Sequence, residues 1–179
     1  MGSRTEALSK EDCAFIEKQK LFFVATAPRE GRINLSPKGC ETLKIVDPRT
    51  VLWLNYTGSG NESAAHMLED DRMTLMFCSF DEAPLILRLY GKAEVFHEHD
   101  LEWEGFVSHF KETFSARQVF RLSIDLVQGS CGFGVPLYVY QGEREMLVEG
   151  WKEQGPKGFK EYQKKKNTIS IDGKETGLL

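Results

Sequence analysis

The chain has 179 residues, 41% of them hydrophobic, with 23 basic and 27 acidic side chains and a formal charge of -4. That length suits one domain with a real core, spanning 1–179, and the acid excess with no basic stretch interleaved with aromatics argues against a general nucleic-acid binder. No apolar run is long enough to cross a bilayer, and the opening MGSRTEALSKED has no apolar signal core and, through Glu6, breaks the myristoylation pattern, so a soluble cytoplasmic protein is expected.

Ser9 followed by Lys10-Glu11-Asp12 reads as a capped helix start, with Phe15 and Ile16 on the buried side and an end near Gln19-Lys20. Leu21 to Ala27 is rich in β-formers, and Pro28 to Gly31 then turns it toward Arg32 to Leu35, which predicts a hairpin. Pro37 has no amide to donate, so Ser36-Pro37-Lys38-Gly39 belongs at a sheet edge, a bulge or a strand end. Leu43 to Val46 and Val51 to Tyr56 flank the turn Asp47-Pro48-Arg49, and Arg72 to Phe80 pairs with Leu85 to Phe96 across Asp81 to Pro84. Six strands joined by tight turns imply an antiparallel sheet closing toward a barrel.

Between these hairpins, Thr57-Gly58-Ser59-Gly60 breaks the strand before an amphipathic helix whose apolar side holds Ala64, Ala65 and Met67-Leu68. Ser59 or Asn61 is placed to cap that helix, and its first amides make an anion-capable site, although an ordinary capped loop has the same composition and the P-loop lysine is missing. Residues 100 to 114 carry Trp103, Phe106, Val107, Phe110 and Phe114 at helical spacing, a core-facing stripe. Phe120 to Val127 alternates as a strand, Gly155 to Lys166 reads as a final helix with Lys164 to Lys166 solvated, and the tail to 179 is expected to be loosely held unless docked on a partner.

Most catalytic templates are missing: there is no GxSxG, HExxH or GxGxxG after a strand. His97 and His99 lack a third ligand at metal spacing and read as surface residues, so no metal site is expected. Cys13, Cys40, Cys78 and Cys131 have no CxxC spacing and read as reduced thiols, with Cys131 a small buried side chain. What remains is a small barrel with two anion-capable elements, Ser36 to Gly39 and Thr57 to Ser63, and with Trp53, Tyr56 and Phe77 available as flat apolar surface or as plain sheet core.

The order LFFVATAPREGRINLSPKG, VLWLNYTGSGNESAAHMLEDDRMTLMF, LILRLYGKAEV, together with SCGFGVP at Ser130 to Pro136 and SIDG at Ser170 to Gly173, resembles the FMN-binding split barrel of the pyridoxamine 5'-phosphate oxidase family. The resemblance covers roughly residues 15 to 175 and is closest to a branch marked by GSGNE(S/T), ILRLYG and SCG(F/Y)GVP. It implies a mainly β fold of six or more antiparallel strands with peripheral helices (about 9–20 and about 155–179), and a homodimer with FMN at the subunit interface. Ser36, Pro37, Lys38 and Gly39 fall on the family's flavin-contacting strand, and Tyr56 and Thr57 match its tyrosine-threonine pair. The family's serine-arginine-lysine phosphate clamp falls on Asn61, Glu62 and Ser63, and the next arginine on Arg72. Both clamp cations are thus replaced, which argues against pyridoxamine phosphate oxidation itself. A flavin-contacting glutamine becomes Ile86, while Arg88 is an added cation able to replace the missing clamp charge. The resemblance implies an FMN-dependent oxidoreductase with an unknown small-molecule substrate. The alternative is a non-catalytic split barrel holding haem, deazaflavin or another flat ligand.

Overall fold

The computed structural model describes residues 2–179, and its strands are β1 (Ser3–Thr5), β2 (Phe22–Thr26), β3 (Asn34–Lys38), β4 (Leu43–Asp47), β5 (Thr50–Tyr56), β6 (Arg72–Cys78), β7 (Ile86–His97) and β8 (Ala116–Ser130). Four helices accompany them: α1 (Lys10–Lys18), α2 (Glu62–Met67), α3 (Trp103–Val107) and α4 (Met146–Lys166). The strands form one antiparallel sheet in the order β3-β2-β6-β7-β8-β5-β4, with β1 added on β8. Laid flat, seven strands would put the edges about 29 Å apart. Only residues 39–42 join the edge strands β3 and β4, a span of at most about 18 Å. The sheet therefore curls toward a barrel that is not closed by hydrogen bonds, a split barrel.

Local chemistry explains the curl. Pro37 sits inside β3, where the edge position spares it the missing donor. In the long β7–β8 pair the register shifts between Tyr90 and Gly91. A Cβ on Gly91 would lie 2.0 Å from the Ser123 carbonyl oxygen, so only glycine lets the two backbones come this close at the bend. The barrel interior holds Val24, Leu75, Leu87, Leu89 and Phe120, all at most 1% exposed. Fully burying such a side chain stabilises the fold by about 1.5–3 kcal/mol.

The sequence reading of α1 and of the three hairpins matches the structure, including the capping box in which Ser9 and Asp12 exchange hydrogen bonds. Other expectations need correction. The aromatic stripe of 100–114 does face inward, with Trp103 and Phe110 buried, but only Trp103–Val107 is helical. The last helix starts earlier than expected, at Met146, and passes through Gly155 at φ 70°. His97 is buried, stacked on His99 at 5.4 Å, whereas Cys131 is exposed. The four cysteines are free. The tail is also docked: Thr176 is fully buried and Leu178 is 8% exposed. Among the described residues no helix is long and apolar enough to cross a membrane.

Candidate functional site

A cleft of about 350 Å³ opens where the two edges of the split sheet approach each other, lined from β3, the 39–42 connection, the end of β5, residues 58–63 and the start of β8. Eight sequence-predicted site residues line it: Ser36, Pro37, Lys38, Gly39, Tyr56, Asn61, Glu62 and Ser63. Two others do not. Thr57 is fully buried, with its hydroxyl donating to the Ser115 carbonyl at 2.8 Å and accepting from Gln163 at 2.7 Å. Arg88 lies in the middle of the sheet, donating to Ser130 Oγ at 3.1 Å.

The residue the sequence did not reveal is Arg117. It enters from the start of β8 and is 5% exposed. Its Nη2 donates to the Gly60 carbonyl at 2.6 Å, and the Asn55 amide, turned with its oxygen toward the guanidinium, accepts from Nη2 at 3.1 Å. Nη1 has no partner. Burial pulls the Arg117 pKa down to about 10. Lys38 stands nearby, its ammonium 5.0 Å over the Trp53 ring, and burial together with the Arg117 charge pulls its pKa down to about 8. Neither cation forms an ion pair among the described residues. An uncompensated buried charge costs several kcal/mol, so the buried Arg117 with the half-buried Lys38 beside it makes a place suited to an anion. Ser36 Oγ, buried and unpartnered, adds a third donor.

The 57–63 loop is built differently. Asn61 holds the N-cap position of α2, yet its Oδ1 accepts no helix amide, and its Nδ2 donates to the Asn167 carbonyl at 3.0 Å. Glu62 turns its carboxylate to the Ile171 amide, at 3.1 and 3.2 Å from its two oxygens. Ser63 Oγ accepts from Thr26 and Asn34. Helix α2 is only six residues long, too short for a strong N-terminal field. Of this group only Asn61 Oδ1 remains unpartnered, an acceptor. Arg72 is exposed and chelated by both oxygens of Asp70.

Flat surface is present in the cleft as well. Trp53 lines it and stacks on Phe120 at 4.5 Å, with Nε1 buried and free. Tyr56 also lines it, and its hydroxyl donates to the Glu112 carbonyl at 2.8 Å; burial, with Glu112 nearby, pushes its pKa up to about 12. Phe77 instead lines a second cavity, about 560 Å³, on the other side of residues 39–42. That cavity is larger, but Lys111 there faces Glu41 at 3.9 Å and Tyr140 donates to Glu143 at 2.8 Å. Among the described residues it presents no buried, unpartnered side-chain polar atom, whereas the smaller cleft presents several, so the smaller cleft is the better candidate.

Comparison with known proteins gives this architecture a lineage. Residues 8–131 match the family model described as pyridoxamine 5'-phosphate oxidase. The pyridoxamine 5'-phosphate oxidase family protein ustO of Aspergillus flavus is 43% identical over 137 residues, which cover 74% of this chain and 55% of that protein; the chain thus spans about half the length of that relative. Among solved structures, a variant of HupZ from Group A Streptococcus aligns with a TM-score of 0.55 at 18% identity, over 68% of this chain and 98% of that one. HutZ, the heme storage protein of Vibrio cholerae, aligns at 0.51 and 18%, over 70% and 97%. At these identities the solved structures speak for the fold alone.

Proposed function

Because the chain belongs to the pyridoxamine 5'-phosphate oxidase family, we propose that its cleft binds FMN, with the phosphate held by Arg117, Lys38 and Ser36 in place of the family's lost clamp at 61–63. The observation that carries this reading is the buried, unpartnered Nη1 of Arg117 beside the equally unpaired Lys38. A guanidinium suits phosphate by its planar fork, and an ammonium adds a point charge. Asn61 Oδ1 is free to accept from a ligand hydroxyl, and Trp53 and Tyr56 offer flat surface to a ring.

When bound, the flavin supplies hydride or electron transfer, which the side chains of this cleft do not provide themselves. The protein's part is to bind, orient and exclude water, and this supports an FMN-dependent oxidoreductase acting on a small molecule. The charge supplied by Arg117 and Lys38 lies outside 61–63, so the family's clamp is not rebuilt in its own place and pyridoxamine phosphate oxidation is not part of this reading. A homodimer completes the reading. Phe133, Leu137, Tyr138, Val139 and Tyr140 are each more than half exposed in one run of chain, an apolar surface suited to a second copy closing the site. The alternative is a non-catalytic binding protein for haem or deazaflavin. Unpaired cations call for an anionic ligand, and the phosphate of FMN concentrates more charge at one point than either propionate of haem does. The absorption spectrum of purified protein tests this: flavin bands, with FMN mass after release, uphold it, and a haem Soret band or the failure of added FMN to bind overturns it.

A further inference from the structure

We propose that the C-terminal tail, through Asn167, is a positioning element for the cation in the cleft. Arg117 holds its place by donating Nη2 to the carbonyl of Gly60 at 2.6 Å, with the Asn55 amide oxygen a longer second acceptor at 3.1 Å. Gly60 is one of two glycines in Gly58-Ser59-Gly60, residues that lose more backbone entropy on ordering than any other. Ser59 and Gly60 are exposed, so packing does not fix this carbonyl.

Asn167 fixes it from both sides. Its side-chain Nδ2 donates to the Gly58 carbonyl at 2.9 Å, and its own carbonyl accepts from Asn61 Nδ2 at 3.0 Å. The carbonyl accepts again from Thr176 Oγ1 at 2.7 Å, tying the end of the tail into the same knot. Asn167 and Thr176 are fully buried and Asn61 is 2% exposed, so the bonds to the Asn167 carbonyl are shielded from water, and the Asn167 bond to Gly58 is partly so. Each donor nitrogen and hydroxyl of this knot is used, while the acceptors Asn61 Oδ1 and Asn167 Oδ1 keep no partner, so it is the donors that restrict Gly58 and Asn61. Gly60 is therefore clamped between two residues pinned to Asn167, and Arg117 is aimed by Gly60.

The residues that carry the phosphate clamp in the family are thus used here as the socket of the tail. Asn61 and Glu62 bind residues 167 and 171, and the charge has moved to Arg117, outside the loop but aimed by it. Positioning at this site predicts a selective effect. Losing the Asn167 side chain blurs the guanidinium without removing the cleft's apolar and ring-binding surface.

This inference rests on the reading that the cleft takes a phosphorylated flavin, so its test has one arm with that ligand and one without. In the first arm, dissociation constants of FMN and of riboflavin, which lacks the phosphate, are measured by flavin fluorescence. For Asn167→Ala the FMN value should rise about tenfold while riboflavin stays within about twofold, the range of a hydrogen bond to a charged group made or lost. The double variant with Arg117→Met should bind FMN no worse than Arg117→Met alone, since both act on one contact. Equal losses for both flavins, or losses that add, overturn the proposal. In the second arm, guanidinium nuclear magnetic resonance of the ligand-free protein should show restricted rotation of Arg117 that is lost in Asn167→Ala. Rotation still restricted in that variant overturns the proposal whatever the flavins do. If the wild type binds no FMN, the cofactor reading fails, and the second arm alone decides whether Asn167 positions Arg117. Should Asn167→Ala not fold, Thr176→Val, which removes only the outer bond to the Asn167 carbonyl, is read the same way with about a threefold change.

Discussion

Residues 58–63 and the strand residues Ser36, Lys38 and Arg117 share one cleft, with Thr57 buried behind it, but the polar atoms of loop and strands are in opposite conditions. In the loop, Thr57, Asn61, Glu62 and Ser63 all bond to other parts of the chain. On the strands, Ser36 Oγ and Arg117 Nη1 are buried without a partner and Lys38 has no acid. Satisfied polar groups build scaffold and lower the energy of the folded chain; unsatisfied ones raise it until a ligand arrives. The comparison favours the loop as architecture and the strands as the proposed binding wall, whereas motif matching alone gives both elements to the cofactor.

The strongest way to break this comparison is to remove the guanidinium. Arg117→Met should weaken FMN binding by about 2–4 kcal/mol, as truncating one partner of a buried charge pair does, while the melting temperature of the ligand-free protein holds or rises. A variant that melts lower and still binds FMN normally would make Arg117 scaffold after all.

Lys38 sharpens the same contrast through pH. Its folded pKa of about 8 lies below its ordinary 10.5, so folding disfavours the charged form. Between about pH 8 and 10.5 the unfolded chain binds more protons than the folded one, and stability rises with pH across that window. Below pH 8 the full penalty, up to about 3 kcal/mol, is present. Lys38→Met should therefore be more stable than wild type at pH 7 in urea titrations, with the advantage shrinking toward pH 10.5. It should also weaken FMN binding by about 1.5–3 kcal/mol, and wild-type FMN affinity should fall as pH passes 8. A constant stability difference across pH would remove Lys38 from the charged wall.

Glu62 tests the other side with a smaller effect. Its carboxylate faces the tail amide of Ile171, and it is the one acid lining the cleft. Glu62→Gln keeps an acceptor for that amide and removes a charge that attracts Arg117. FMN binding should tighten by about 0.5 kcal/mol with the fold intact. Weaker binding would mean that the carboxylate itself meets the ligand.

How much of this was legible in the sequence depends on what kind of signal each part leaves. Alternating side chains and tight turns announce strands because they follow from the backbone, and Pro37 marked its own edge position. Arg117 left no such trace. A cation inside a strand looks like any solvent-facing residue until the fold removes the water, and it sits just before the Phe120 to Val127 alternation that marks the strand. The tail misled for a related reason: Asn167, Ser170 and Thr176 are polar types that normally stay in water, and their burial is met by partners that only the fold provides, Gly58 and Asn61 for Asn167, the Lys174 amide for Ser170 and the Asn167 carbonyl for Thr176. The helix expected over 100–114 failed because an inward aromatic stripe needs only the right spacing, which a single short helix and the turns after it also provide.

Arg88 gives the smallest expected effect and the most informative exception. The added cation of the family pattern was a candidate to replace the missing clamp charge, yet in β7 it pairs in register with Gln128, eleven residues along β8 from Arg117. At about 3.3 Å per residue that is roughly 36 Å of strand, far beyond the reach of an arginine side chain. Its guanidinium already meets Ser130 Oγ at 3.1 Å. Within one chain, Arg88→Ala should leave FMN affinity within about twofold, a difference of less than about 0.5 kcal/mol. A tenfold loss with an unchanged fold would have one simple source, because the same chain cannot deliver Arg88 to its own cleft: a second copy would have to bring it there. The measurement, run alongside light scattering at the same concentration, therefore asks whether the cleft is charged from its own strands alone or from two subunits.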